Sequence, residues 1–208
     1  MNIISKSIAK SMSVFMLITL FSCQMNKKSA VELFEFGKVM EERGLPDSAV
    51  IMYQRAIKRS VAQKDTRLTG LIYNQMGDLY LSHYLFNKSL LSYQSGLEYN
   101  QLLPDKIDVS KSLRGIGKSY TYCSMPDSGL IYLAQALRLS DSITDKEEVV
   151  RIHNNMSNAY FELKRYDEAL EHNTQALNMT KDNTSRYVNS FARADIMYQL
   201  QKLQIVIL

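Results

Sequence analysis

The sequence of 208 residues has no tryptophan, two cysteines, three prolines and only eight glycines. Proline and glycine are the residues that most often turn or break the backbone, so the chain has few positions at which many short strands could be connected. Hydrophobic residues make up 46% of the composition, enough for a sizeable core. These scarcities favour long helices over a β-rich fold.

The first of the two cysteines closes a distinct N-terminal segment. Residues 1–22 carry Lys6 and Lys10 ahead of an apolar stretch, with no acidic residue before Cys23. A basic start followed by a short apolar run is typical of a secretion signal, and the run is too short to span a bilayer as a helix. Residues 1–22 are therefore predicted to be a signal peptide.

Residues 20–23, Leu-Phe-Ser-Cys, resemble the lipobox of bacterial lipoproteins. The resemblance implies cleavage before Cys23 and lipidation of that cysteine, with an uncleaved anchor or ordinary secretion as the alternatives. It also implies a protein in the bacterial cell envelope, anchored to a membrane by lipid and facing the periplasm. Cys123 would then lack a disulfide partner, and a buried, inert thiol is expected there.

Charge gives little support to nucleic-acid binding. The full chain carries a net charge of +4, and removal of residues 1–22 leaves 23 basic and 21 acidic residues, a net of +2. Residues 23–29 are expected to form a lipidated tether. Its two lysines, Lys27 and Lys28, are either merely solvated or also face anionic lipid headgroups.

Small residues recur in the chain at a regular interval of about 40 residues, within the range of known structural repeats. One set comprises Gly37, Gly77, Gly117 and Ser157. A second set, in the same register further along each repeat, comprises Ala49, Ser89, Gly129 and Ala169. Self-similarity at such a period is the signature of a solenoid, whose units bury their apolar faces only against their neighbours.

Each unit contains two apolar stripes with helical spacing, separated by a short break in which proline, aspartate or serine can begin a second helix. Small residues in both stripes let the two helices approach closely, and Tyr80, Tyr120 and Tyr160 are expected to fill the wider gaps of the core, with ligand stacking as the alternative. The predicted helices are 31–43 and 47–62, 66–83 and 87–101, 108–122 and 127–141, and 145–163 and 167–180.

A fifth unit begins near residue 186, because residues 193–200 align with residues 156–163. The sequence ends at the point where the second helix of this unit is expected to start. The repeat array is therefore predicted to cover residues 30–200, followed by an apolar, truncated tail at residues 201–208. The alternative is that this tail docks on the fourth unit or on a partner.

The repeats resemble the tetratricopeptide repeat family, most clearly at residues 74–80, 155–160 and 166–170. The resemblance covers roughly residues 30–200 and implies an all-α fold, an α-α superhelix of four complete hairpins and a partial fifth. The usual repeat of this family is shorter, about 34 residues, so the longer period of this chain is more similar to the kinesin-light-chain type of unit. Ser157, Gly129 and Asn173 depart from the family pattern, which puts the tightness of packing in question.

Residue patterns for catalysis are absent. Residues 115–119, Gly-Ile-Gly-Lys-Ser, look like the end of a phosphate loop, but the leading glycine of that motif would fall at Ser112 and no strand precedes it. His83, His153 and His172 have no spacing that suits a metal site, and no serine or cysteine lies in a nucleophile motif. The sequence therefore predicts no enzyme activity, no cofactor and no metal.

The family resemblance implies that the first helices of successive units line a concave groove for a protein or peptide. The residues transferred to a partner-binding role are Asn74, Asp78, Lys111, Arg114, Lys118, Arg151, Asn154 and Asn158. The same face would include Phe34, Lys38, Glu41, Leu81, Thr121 and Phe161. Asparagine suits peptide amides, and arginine and lysine suit acidic groups. The alternative is a solvated polar face without a ligand.

Three functions remain open at this stage. The first is a lipid-anchored envelope scaffold that binds a protein or peptide without chemistry of its own. The second is the sensory input module of a larger signalling or transcription-regulatory protein. The third is glycan binding, against which the lack of tryptophan counts, because tryptophan is the preferred residue for stacking on sugars.

Overall fold

The computed structural model describes residues 28–139, 145–180 and 183–207. The chain divides into two compact units, Met1–Gln63 and Lys64–Leu208. Every regular element among the described residues is an α-helix, as the composition and the repeat predicted. Cys23 and the rest of the proposed signal peptide lie outside the described residues, so their processing and lipidation stay predictions.

The first unit contains one helical hairpin, formed by α1 (Ala30–Glu42) and α2 (Pro46–Ala62). Helix α1 begins with a capping box: the Ser29 side chain accepts a hydrogen bond from the Glu32 amide, and the Glu32 carboxylate accepts one from the Ser29 amide. Phe34 packs against the ring of Tyr53 and is only 5% exposed. Its predicted place on a binding groove is therefore wrong, because its ring belongs to the core of this hairpin.

The second unit contains three hairpins and a further long helix. Its helices are α3 (Thr66–Ser82), α4 (Phe86–Asn100), α5 (Ile107–Tyr122), α6 (Pro126–Arg138), α7 (Lys146–Glu162), α8 (Tyr166–Met179) and α9 (Asn183–Ile207). The bounds of the four predicted hairpins differ from these by at most a single position, except at the end of α6. Odd-numbered helices from α3 to α9 are called first helices below, because each opens a repeat unit.

The turns within the hairpins share one backbone conformation. Tyr84, Ser124 and Lys164 occupy equivalent positions in successive repeats and have φ of 60°. Gly44 has the corresponding position in the first unit, with φ of 70°. A left-handed residue just after a helix ends it and redirects the chain, and only glycine adopts this conformation without steric cost. The repeat therefore extends to the turn geometry, although glycine is present in only one copy.

Small residues at the hairpin crossings act as the sequence predicted. A Cβ atom placed on Gly117 would lie 2.8 Å from the carbonyl oxygen of Gly129, so the backbones of α5 and α6 touch directly. In the other two hairpins of this unit a serine hydroxyl joins the backbones instead. Ser89 donates to the Gly77 carbonyl at 2.9 Å, and Ser157 donates to the Ala169 carbonyl at 2.8 Å. Serine in place of glycine at 157 thus keeps the crossing tight through a buried hydrogen bond.

The core continues from one hairpin into the next. A cluster of buried side chains joins α5, α6 and α7: Val109, Leu113, Leu133, Ala136, Ile152, Met156 and Ala159. The tyrosines expected to fill the core lie nearer the surface than predicted. Tyr80, Tyr120 and Tyr160 are half-buried, whereas Tyr53 and Tyr93, on second helices, are almost completely buried.

Helix α9 runs without interruption from Asn183 to Ile207. It therefore includes most of the segment predicted to be a separate tail at residues 201–208. No helix within residues 28–139, 145–180 and 183–207 has both the length and the apolar character that crossing a membrane requires.

Candidate functional site

The interface between two successive first helices is called a seam below. The contacts within each seam determine which of the predicted groove residues are accessible. In the α3–α5 seam, Ser112 donates a hydrogen bond to the Asn74 side chain at 2.8 Å, and Asn74 reaches the Asp108 carbonyl. Asn100 joins the same network by donating to Ser112 at 3.0 Å. Asn74 is 6% exposed. Its predicted role in partner binding stays a prediction, which the structure does not favour because this buried amide joins α3 to α5.

An ion pair closes the α5–α7 seam. The Arg114 guanidinium donates to Glu148 at 2.7 Å, and the Glu148 side chain is fully buried. Burial opposes the charge of Arg114, but the carboxylate of Glu148 outweighs it and raises the pKa of the guanidinium. Arg151 donates to the second carboxylate oxygen of Glu148 at 3.3 Å. The partner-binding role of Arg114 thus stays a prediction, and a partner would have to compete with Glu148 for this guanidinium.

Arg151 and Lys111, two other cations predicted to bind a partner, already form ion pairs within the chain. Arg151 also approaches Asp145 and Glu147, and Lys111 lies 3.5 Å from Asp108. Their positive charges are thus already compensated within the chain, at partly exposed positions where such pairs contribute little stability. Acidic partner groups would have to compete with these intramolecular carboxylates.

Asp78 and Lys118 remain on the accessible face. Asp78 is exposed and accepts a hydrogen bond from the Tyr93 hydroxyl. Lys118 is half-buried, and the pKa of its ammonium is lowered by burial and by the neighbouring charge of Arg114. Leu81 and Thr121, which the family resemblance places on the same face, are buried instead.

Side-chain contacts bridge the α3–α5 and α5–α7 seams, whereas the α7–α9 seam contains a cleft. Between α7, α8 and α9 lies a cleft of 290 Å³, called the α7–α9 cleft below. Its lining residues are Asn154, Ser157, Asn158, Phe161, Glu162, Asn173, Asn189, Ala192, Asp195 and Ile196. Of the eight predicted binding residues, the structure brings only Asn154 and Asn158 together in this cleft.

Glu162, Asn173 and Asp195 also line the cleft, although the sequence predicted no binding role for them. A signal for Asp195 was available, because the alignment of residues 193–200 with residues 156–163 places Asp195 at the position of Asn158. Asn173 was noticed only as a departure from the family's aromatic residue. In the structure it is 2% exposed, and its amide nitrogen donates to the Asn189 carbonyl at 3.2 Å.

A histidine pair lies between α7 and α8. The Nδ1 atoms of His153 and His172 are 2.9 Å apart, and the ring of His172 stacks on Tyr160 at 5.4 Å. Burial lowers the pKa of both histidines, and the proximity of His172 helps to lower that of His153 to about 4. Sequence spacing did not reveal this pair, because its members lie on different helices.

The histidine pair predicts a dependence of stability on pH. Since the folded-state pKa of His153 lies below its ordinary value of 6.5, the unfolded chain takes up the proton first. Stability from this site is complete above pH 6.5 and is lost as the pH falls towards 4. For a half-buried group we expect a loss of about 2 kcal/mol.

Urea unfolding of the wild type and of His153→Asn at pH 7.5, 6.0 and 4.5 measures this loss. The variant removes the pair but leaves all carboxylates in place, so the difference between the two proteins isolates the histidine contribution. We expect the wild type to lose more stability than the variant between pH 6.5 and 4.5. Parallel pH profiles would contradict a role for the pair.

Cys123 is half-buried and its thiol lies 3.7 Å from the side-chain oxygen of Asn87. The expectation of a buried thiol is therefore wrong. Residue 123 follows the end of α5, where the chain leaves the core for the hairpin turn. No cluster of three or more histidine, cysteine or acidic side chains suited to a metal ion occurs among residues 28–139, 145–180 and 183–207.

Comparison with known proteins agrees with the repeat geometry. Residues 108–182 match the family model described as tetratricopeptide repeat. A comparison with curated proteins finds no match.

Several solved structures share the fold. BtubC (BKLC) from P. vanneervenii has a TM-score of 0.70 at 16% identity, over 81% of this chain and 71% of BtubC. The apo form of RapI has a TM-score of 0.73 at 15% identity, over 86% of this chain and 66% of RapI.

A third similar structure is a signal transduction ATPase with numerous domains from Pyrococcus horikoshii, which has a tetratricopeptide repeat sensor. Its TM-score is 0.69 at 18% identity, over 83% of this chain and 27% of the ATPase. At these identities the similarity shows the fold alone. Residues 108–182 are therefore similar to tetratricopeptide repeats, and the described helices have the all-α fold of tetratricopeptide-like solenoids.

Proposed function

We propose that this protein is a non-enzymatic scaffold that binds a protein or peptide in the α7–α9 cleft. The observation that carries the proposal is the difference between the seams. Asn74 closes the α3–α5 seam and the Arg114–Glu148 pair closes the α5–α7 seam, whereas the α7–α9 seam leaves a cleft of 290 Å³. An open, partly apolar cleft with convergent polar groups is the usual form of a binding site.

The cleft offers groups suited to an extended peptide. Asn154 and Asn158 are half-buried on the same face of α7, one helical turn apart, and each amide can both donate to and accept from a peptide backbone. Phe161 provides an apolar surface beside them. Tetratricopeptide repeats generally mediate protein–protein interaction, which agrees with this chemistry.

We further propose an envelope location. Residues 1–22 have the features of a signal peptide and Leu20–Cys23 resemble a lipobox. A lipid on Cys23 would hold the repeats at a membrane surface facing the periplasm, where the cleft meets partners from that compartment. Mass spectrometry of the mature N-terminus tests this part independently. An unmodified Cys23, or an intact segment 1–22, would contradict it.

The binding role predicts a specific loss of partner capture. We expect Asn154→Ala combined with Asn158→Ala to reduce crosslinked partner recovered from envelope extract at least tenfold, because each change removes a pair of hydrogen-bonding groups from the cleft. Quantitative mass spectrometry of the crosslinked material measures the recovery.

The matched control is Gln175→Ala combined with Asn178→Ala. Both control residues are exposed amides on α8 that do not line the cleft. The control protein should retain wild-type recovery. If both double variants recover the same partners in the same yield as the wild type, the cleft is not the binding site.

A sensory input module is the second candidate. It is favoured by the similarity to the Pyrococcus horikoshii ATPase, whose repeats form a sensor and of which this chain matches 27%. In that case the cleft would receive a signal that is passed to another domain. Sequencing of the gene beyond the codon for Leu208 tests this candidate, since a signalling or DNA-binding domain in a shifted frame would favour it.

A further inference from the structure

We infer that the occupant of the α7–α9 cleft is a basic side chain, arginine or lysine, of the partner peptide. The inference rests on the proposed binding function and adds the chemistry of the recognised group. It also reverses the expectation from the sequence, in which the groove cations select an acidic partner.

The charged groups of the cleft are both acidic. Glu162 on α7 and Asp195 on α9 line it and are exposed, and the lining contains no lysine, arginine or histidine among the residues that the structure describes. Carboxylates accept hydrogen bonds from guanidinium and ammonium groups, and here one is supplied by each of two helices. Charge-assisted bonds of this kind are about twice as strong as neutral ones.

A buried acceptor at Asn173 points independently to a donor ligand. The Asn189 carbonyl can only accept, so it fixes the nitrogen of the Asn173 amide towards itself, at 3.2 Å. The amide oxygen of Asn173 is then left, within the described part of the chain, without a hydrogen-bond partner. Burial of an unpaired acceptor is unfavourable, and an N–H donor that reaches this oxygen from the cleft would remove that penalty.

The remaining lining suits the aliphatic part of a long basic side chain. Phe161, Ala192 and Ile196 provide apolar contact, and Ile196 is 2% exposed. Lysine and arginine commonly bury their methylene groups against apolar surface while the charged end meets polar groups. The volume of 290 Å³ lies at the lower end of the range for ligand sites, which fits one side chain better than a larger ligand.

The cations of the earlier seams do not oppose this assignment. Arg114 is paired with Glu148, and Arg151 is shared among Asp145, Glu147 and Glu148. Their charges are compensated before a partner arrives. Glu162 and Asp195, in contrast, have no ion pair among the residues that the structure describes, so the cleft keeps its negative charge.

The test uses blocked, fluorescein-labelled pentapeptides, Ala-Ala-X-Ala-Ala, in which X is arginine, lysine, citrulline or glutamate. Citrulline has the shape of arginine without its charge. Fluorescence anisotropy with the full chain should show that the arginine and lysine peptides bind at least tenfold more tightly than the citrulline and glutamate peptides. Rising salt should weaken this preference.

Glu162→Gln combined with Asp195→Asn should reduce the preference for arginine over citrulline to less than threefold. The matched control is Asp167→Asn combined with Glu171→Gln, which removes the same charge from two exposed positions on α8 outside the cleft. The control protein should keep the tenfold preference. Circular dichroism of both double variants establishes that they remain helical.

Equal affinity for the arginine and citrulline peptides, or an unchanged preference in the cleft variant, would overturn the inference. So would free arginine binding as tightly as the arginine peptide, because the occupant would then be a small amine. These outcomes are distinguishable from failure of the proposed function. That function fails if Asn154→Ala with Asn158→Ala leaves partner capture intact, whatever the charge preference of the peptides.

Discussion

Replacement of Glu148 by alanine is expected to lower the free energy of unfolding by about 3–5 kcal/mol. The carboxylate of Glu148 is fully buried in the α5–α7 seam and accepts hydrogen bonds from Arg114 at 2.7 Å and from Arg151 at 3.3 Å. Without it, the Arg114 guanidinium, whose side chain is 14% exposed, would lose its hydrogen-bonded counter-ion and keep only the more distant charge of Asp78. Urea unfolding followed by circular dichroism measures the loss.

Two controls separate the buried charge from the loss of a surface carboxylate. Glu147→Ala removes a carboxylate that contacts Arg151 only at an exposed position, and it should cost less than about 1 kcal/mol. Arg114→Met combined with Glu148→Leu should recover much of the stability lost in Glu148→Ala, because no charge then remains unpaired. If Glu148→Ala is no more destabilising than Glu147→Ala, the ion pair does not stabilise the seam.

The sequence predicted the helices and the hairpin crossings well, because both depend on local rules. Helix bounds follow from apolar spacing and from end signals such as Ser29 and Pro46, which act within one turn. The crossing of α5 and α6 follows from Gly117 and Gly129, whose backbones touch. A repeat reinforces such signals, since each copy reports on the same geometry.

The accessible groove was predicted less well, because accessibility depends on the neighbouring unit. Asn74, Arg114 and Asn154 have the same register position, yet the first is held by Ser112, the second by Glu148 and only the third lines the cleft. The residues that hold the first two come from different register positions of the next first helix, 112 on α5 and 148 on α7. The apolar and polar spacing within one helix does not reveal which residue of the next first helix will contact it.

The glycines of the apparent phosphate loop have a structural explanation. A Cβ atom on Gly115 would overlap the ring of Tyr93, and one on Gly117 would lie 2.6 Å from Cγ of Leu133. Gly115 thus makes room for a side chain of α4, and Gly117 makes room for α6. Both glycines in the Gly-Ile-Gly sequence are therefore required by packing on opposite sides of α5, without reference to a nucleotide.

Tyr93 is expected to be among the most important core residues, and Tyr93→Ala should lower the free energy of unfolding by about 3–5 kcal/mol. The ring is 2% exposed and lies against Gly77 of α3 and Gly115 of α5, so its removal leaves a cavity where three helices meet. Its hydroxyl donates a hydrogen bond to Asp78. Burial of the ring is the main cause that raises the pKa of the phenol, and the charge of Asp78 raises it further.

Variants at these positions separate the ring from its hydroxyl and test the fit of the ring against glycine. Tyr93→Phe keeps the ring and should cost only about 1 kcal/mol, through the lost hydrogen bond to Asp78. Gly115→Ala should destabilise the wild type by about 1–3 kcal/mol, because its methyl group would overlap the ring. In the Tyr93→Ala background the same change should cost less, since the cavity admits the methyl group. Additive effects of Gly115→Ala and Tyr93→Ala in a double-mutant cycle would show that the two residues are not packed against each other.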